Sequence, residues 1–152
     1  MVICFVGHST ISSGEQIKEI VKDQIRKNTV NGESVICYLG CRGDFDAISA
    51  LACRELKKER GNMELVYVAP YFNSAEQDKI KDMYAAGLYD SSIYPPIENT
   101  PLRFAILKRN EWMVANADLV IAYVRHSWGG AHRSLDFARR RKKKTINICE
   151  LK

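Results

Sequence analysis

Long apolar runs are missing from this sequence. The longest uninterrupted ones, Met1–Val6 and Leu119–Val124, have six residues each, far short of the ~20 that a membrane-spanning helix needs. Met1–Val6 is also too short for a signal peptide and has no basic flank, so a cytoplasmic protein with no membrane partner is expected. Proline is scarce, at four of 152 residues, and neither a linker nor an internal repeat interrupts the chain. The length suits one domain over residues 1–152 with a substantial core. Cysteine is present in an odd number, five, and no two form a C-x-x-C pair. Cys37 and Cys41 have no matching His or Cys pair, which argues against a zinc knuckle and for reduced thiols. Cys4, Cys37 and Cys149 lie within apolar runs, where cysteine behaves as a small hydrophobe. Two phosphate-binding signatures are absent as well: there is no G-x-G-x-x-G and no G-x-x-x-x-G-K-[ST]. No cofactor and no metal are expected.

Charge of one sign is less abundant than the net +5 suggests. Arg139–Lys144 are six consecutive basic residues. Without them 17 cations face 18 acids. The basicity is therefore local, and it falls in the last turn of an expected helix, where cations favour the dipole. Single-stranded nucleic-acid binding through this run is disfavoured, because Phe137 is the one aromatic nearby for base stacking.

What is present is a regular alternation of periods. Met1–Val6, Val35–Leu39, Leu65–Ala69, Leu119–Val124 and Thr145–Cys149 read as buried strands, and Leu88–Tyr94 as a short strand or extended segment. Between them Ile17, Ile20, Val21 and Ile25 recur at helical spacing, as do Phe45, Ile48, Ala52 and Leu56. Further helices are expected over Ser74–Ala86, Leu102–Ala117 and Ala131–Arg141. Strands apolar on both faces, separated by amphipathic helices, indicate an α/β class: one Rossmann-like domain with a doubly wound, mainly parallel sheet and helices on both faces.

Such sheets bind ligands beyond the carboxyl ends of their strands, which directs attention to three loops. Gly7-His8-Ser9-Thr10 offers a tight turn, two hydroxyls and an imidazole, and equally suits a capped strand-to-helix turn. In Gly40–Asp46 the glycines Gly40 and Gly43 let the backbone turn closely and leave N–H groups free for a ligand. Asp44 is placed to cap the following helix and Asp46 to complement its dipole. As ligand groups these carboxylates suit hydroxyls or a base edge, while Arg42 suits an anion; capping alone also explains them. In Arg125–Ala131 the pair Gly129-Gly130 precedes a helix start, where unpaired N–H groups attract anions. Ser127, His132 and Arg133 add donors there without a nearby acid. Arg109 shares the apolar stripe of its helix with Leu102, Ile106 and Met113, so it either snorkels or meets a partner or ligand.

Taken in order, "FVGHST", "YLGCRGDFD", "KRNEWMVANADLVIAYV" and a Gly-Gly turn followed by "SLDFARRRKKKTINI" resemble the SLOG superfamily. This Rossmann-like group unites the Smf/DprA DNA-processing proteins with the lonely-guy cytokinin-activating enzymes, and small stand-alone bacterial members of unknown function look most similar. The resemblance implies binding or sensing of a nucleotide or nucleotide-derived ligand at the strand ends. By motif it carries over to Gly7, His8, Ser9, Gly40, Arg42, Asp44, Asp46, Arg109, Asn110, Gly129, Gly130 and Ala131, and it implies a homodimer as a possible assembly. Two alternatives accompany it: a nucleotide N-glycosidase or phosphoribohydrolase, and DprA-like single-stranded nucleic-acid binding. The lonely-guy enzymes carry P-G-G-x-G-T-x-x-E, whose glutamate serves the glycosidic chemistry. Here Trp128 replaces the proline and no acid fills the glutamate's place. Asp136, the nearest carboxylate, is the weak catalytic candidate, and only a helix that begins late would aim it at the site. A ligand-binding domain is therefore expected ahead of an enzyme.

Overall fold

The computed structural model describes residues 1–151. Six strands, β1 (Val2–Gly7), β2 (Val35–Leu39), β3 (Met63–Val68), β4 (Ser91–Ile93), β5 (Leu119–Tyr123) and β6 (Lys144–Asn147), form one sheet in the order β4-β3-β2-β1-β5-β6. Every pairing is parallel. Five helices connect them: α1 (Gly14–Asn28), α2 (Asp44–Arg60), α3 (Ser74–Ala85), α4 (Ala105–Ala115) and α5 (Gly129–Arg140). The Rossmann-like, doubly wound architecture expected from the sequence is the one observed. No helix of the described residues is long and apolar enough to cross a membrane.

Two-residue alternation along β1 divides the core. Ile3 and Phe5 join Val21 and Ile25 of α1 and Phe45, Ala52 and Leu56 of α2 on one face. Cys4 and Val6 join Met113 and Val114 of α4 and Leu135 and Ala138 of α5 on the other. Of the five cysteines, Cys4, Cys37 and Cys53 are buried, and burial pushes the Cys4 thiol above its ordinary range.

Several boundaries differ from the periodic reading. The helix expected from Leu102 begins at Ala105 after a 3-10 turn at Leu102–Phe104, which leaves Leu102 76% exposed and off the stripe. Ala105, Arg109 and Met113 form the buried stripe instead. The last helix starts at Gly129, ahead of the expected Ala131. β4 shrinks to three residues because it pairs with β3 alone at the sheet edge.

The chain runs outward from β1 to β4, then returns to lay β5 on β1's free side. After β1 it leaves toward the α1/α2 face, and after β5 toward the α4/α5 face. The loops diverge at the carboxyl ends of these two neighbouring strands, and a crevice opens between them.

Candidate functional site

A cavity of about 340 Å³ occupies that crevice. Its lining includes Phe5 to Ser9 from the end of β1, His126 and Trp128 to Ala131 from the β5–α5 connection, and Ile106, Arg109 and Asn110 from α4. Arg42 and Asp46 close the remaining side. The register that pairs Gly7 with Tyr123 brings the two loops together. His8 donates its backbone N–H to the Tyr123 carbonyl at 3.3 Å, and its Nε2 accepts the Arg125 N–H at 2.8 Å. One strand over, the buried Asn147 amide accepts the Val124 N–H and donates to the Val124 carbonyl, which holds β5's exit rigid.

Arg109 is the cavity's most unusual group. It is 2% exposed, and it spends Nε on Asn110 Oδ1 at 2.8 Å and Nη1 on the Val68 carbonyl at 2.7 Å. A guanidinium has five N–H donors, and Nη2 has no hydrogen-bond or ion-pair partner among the described residues. A buried cation without a carboxylate contact is costly to fold. This one borders a cavity.

The start of α5 faces the same space. Trp128 supplies no capping side chain, and the first-turn N–H groups of a helix have no partner within the helix. Gly129, at φ +91°, and Gly130 bring this backbone to the cavity without a side chain, and a Cβ on Gly130 would touch nothing within 4 Å. The charged side chains lining the cavity are two arginines and one carboxylate, so its field favours an anion.

α2 presents a different picture. The expectation that Gly40–Asp46 leaves backbone N–H groups free for a ligand is not met at this helix start. Asp44 N–H goes to the Ser9 carbonyl at 2.9 Å, Phe45 N–H to the His8 carbonyl at 3.3 Å, and Arg42 N–H to Asp46 Oδ2 at 2.8 Å. Gly43 is the N-cap, and Asp44 instead accepts the Ile11 N–H. These residues build the wall that holds the first loop. Arg42 meets the buried Glu76 at 3.4 Å, Glu76 accepts the Tyr67 hydroxyl at 2.7 Å, and Cys41 reaches Tyr67 as well. This network seats α3, whose only buried residue is Glu76.

The structure thus gathers Gly7, His8, Ser9, Arg42, Asp46, Arg109, Asn110, Gly129, Gly130 and Ala131 around one cavity. Gly40 lies behind Asp46 and Arg109, and Gly43 and Asp44 lie against the first loop. Ser127, His132 and Arg133 are not in the lining, because α5 begins before His132 and turns it and Arg133 away. Asp136 is not brought to the cavity: with α5 starting at Gly129 it lies about two turns along, exposed and paired with Arg140 at 3.1 Å. Asp46 is the carboxylate that reaches the cavity. Sequence reasoning missed His126 and Trp128, which stack at 4.3 Å and 18°, with His8 4.7 Å from His126. Trp128 is 66% exposed. An aromatic in a post-strand loop was the available signal.

Burial, then the neighbouring His126 and Arg125 charges, holds the His8 imidazole below its ordinary value of 6.5. The Arg125 N–H at Nε2 requires the neutral ring, since the charged form has no acceptor. Stability from this contact is therefore full above pH 6.5 and is lost as pH falls through the lower, folded-state midpoint. An NMR titration is expected to place the His8 midpoint below 6.5. A midpoint at or above that value would contradict the contact.

Neither family models nor curated proteins match the sequence. Among solved structures, the chain is similar to DNA processing protein A from Helicobacter pylori, reported for its single-stranded DNA binding mode. The TM-score is 0.61 at 16% identity, over 95% of this chain and 63% of that one. The likeness establishes a shared DprA-like fold. The chain spans less than two thirds of that structure's length.

Proposed function

We propose that this protein binds a phosphorylated nucleotide or nucleotide-derived molecule in the cavity between β1 and β5, as a ligand-binding domain of the SLOG kind. One observation carries the reading: Arg109 is buried, has unspent donors, and shares its cavity with the uncapped start of α5. Backbone N–H groups at a helix start and a guanidinium are complementary to phosphate oxygens. The volume is at the small end for ligand sites and suits a mononucleotide. A base has a stacking surface in Trp128.

The N-glycosidase alternative loses Asp136, which pairs with Arg140, and is left with Asp46 as the carboxylate in the cavity lining. A second reading, single-stranded nucleic acid, draws on the DNA-binding mode reported for the structural neighbour and on the exposed Trp128 platform.

Calorimetric titration with nucleoside monophosphates and with an oligonucleotide tests these readings. Mononucleotide binding is expected, and Gly130→Val should weaken it at least about tenfold with the fold intact, because the added side chain enters open cavity space. Neutralising Lys142, Lys143 and Lys144 together should leave affinity nearly unchanged, since they follow the far end of α5. Affinity confined to the oligonucleotide and lost with these lysines would reverse the assignment.

A further inference from the structure

We propose that α3 is a ligand-released element of this fold: an anion bound in the cavity draws Arg42 off Glu76, and α3 then loosens from the sheet edge. The inference rests on the phosphate-binding reading above and adds a consequence of binding outside the cavity. Its starting point is the way α3 is held. Glu76 is the one buried residue of the helix, and it is a carboxylate, 4% exposed. The apolar side chains of α3 do not take over this role. Ile80, Met83 and Tyr84 line a second cavity of about 200 Å³ with Tyr67 and Tyr89, and Tyr84 is largely exposed. The helix therefore covers unfilled space, and its attachment to the sheet is chiefly polar.

That attachment has two bonds. Glu76 Oε1 accepts the Tyr67 hydroxyl at 2.7 Å, and Oε2 meets Arg42 Nη2 at 3.4 Å. Lys79, one turn along α3, lies over the Tyr67 ring instead. Arg42 is the only cation paired with Glu76 among the described residues. A buried carboxylate deprived of its cation is strongly destabilising.

Arg42 is also the group that the cavity can take. It lines the cavity, and its side chain is more than a third exposed. The 3.4 Å contact with Glu76 is long beside the ordinary charge-assisted distance of about 2.7–2.9 Å. Nε and Nη1 have no hydrogen-bond partner among the described residues, and the guanidinium rests over the Tyr71 ring at 5.3 Å. The Arg42 N–H is bonded to Asp46, so the backbone is fixed and the side chain is the part that can swing. The start of α5 and Arg42 belong to different walls of the cavity, and Glu76 is not in the lining. A guanidinium that turns to a phosphate at α5 therefore leaves Glu76.

The effect is reciprocal by linkage. Whatever hold Glu76 has on Arg42, the ligand must overcome it. The carboxylate that seats α3 thus weakens binding at a cavity it does not touch.

The test is hydrogen exchange of the whole chain, read by mass spectrometry, with and without the four ribonucleoside 5′-monophosphates, each first titrated calorimetrically. With the best-bound nucleotide, amides of α3 are expected to exchange about fivefold faster or more, while those at the start of α5 slow. Amides of α3 that stay unchanged or slow, with the α5 start protected, overturn the release of α3 and leave the phosphate site standing. Glu76→Gln supplies the reciprocal measurement. It keeps an oxygen for the Tyr67 hydroxyl and removes the charge that competes for Arg42. It should bind the same nucleotide about fivefold more tightly or better, with α3 exchange no longer changed by the ligand. A merely structural Glu76 would give equal or weaker binding, and that result also overturns the coupling. The wild-type exchange decides alone if this variant folds poorly. A chain that binds none of the four overturns this inference and the phosphate site together.

Discussion

Arg109→Met is expected to weaken nucleotide binding at least about a hundredfold and to change the melting temperature of the free protein little. The two effects have separate origins. Binding loses charge-assisted hydrogen bonds to phosphate, each about 1.5–3 kcal/mol. Folding loses the bonds to the Val68 carbonyl and Asn110 Oδ1, about 1–3 kcal/mol each, and the pull of Arg109 on the Asp46 carboxylate, and is relieved of desolvating a buried guanidinium, several kcal/mol. Methionine fills similar space on a stripe already formed by Ala105 and Met113. Thermal unfolding with and without ligand reads both quantities. A variant that melts far below the wild type while still binding would make Arg109 a structural brace.

Gly43→Ala should produce a large stability loss near the site. Gly43 sits at φ +105°, where side chains are strained, and a Cβ would lie 2.6 Å from the Ser9 Cα. The obstruction is backbone, held in place by the Asp44 and Phe45 N–H groups, so it cannot rotate away. Strain of about 1–3 kcal/mol and a comparable overpacking cost act together. For a chain of this length that corresponds to a fall of roughly 10 °C in melting temperature, with ligand affinity reduced because the first loop is displaced. A melting temperature within 2–3 °C of the wild type (~1 kcal/mol) would mean that the first loop moves freely from α2.

The fold was legible because strands such as Leu119–Val124 are apolar on both faces, and that pattern admits few arrangements. Arg109 was legible as an anomaly, a cation on an apolar stripe, although its stripe neighbours were partly misassigned. Leu102 carried the right spacing, but the 3-10 turn changes the angular register before α4 begins. The identity of the cavity carboxylate was not legible. Asp44, Asp46 and Asp136 are chemically alike, and their directions depend on where two helices start. Gly43 rather than Asp44 caps α2, and Gly129 rather than Ala131 opens α5. A shift of one or two residues turns a side chain by 100–200° around a helix. The His126–Trp128 stack was hidden for another reason: loop rings have no period to betray them.

The return of the chain to β1 has a consequence for synthesis. β1 is paired with β5 across more than a hundred residues, and the Val2 N–H is bonded to Asp118. While the ribosome is still making the first hundred residues, β1 can pair on its β2 side only, and its other edge and the apolar face bearing Cys4 and Val6 stay open. Contacts of such sequence separation form late and slowly, and unpaired apolar edges are where nascent chains aggregate. The two walls of the cavity belong to the first and last thirds of the chain. The cavity therefore cannot exist in a partly made protein, and a small molecule that binds there would select for the finished one.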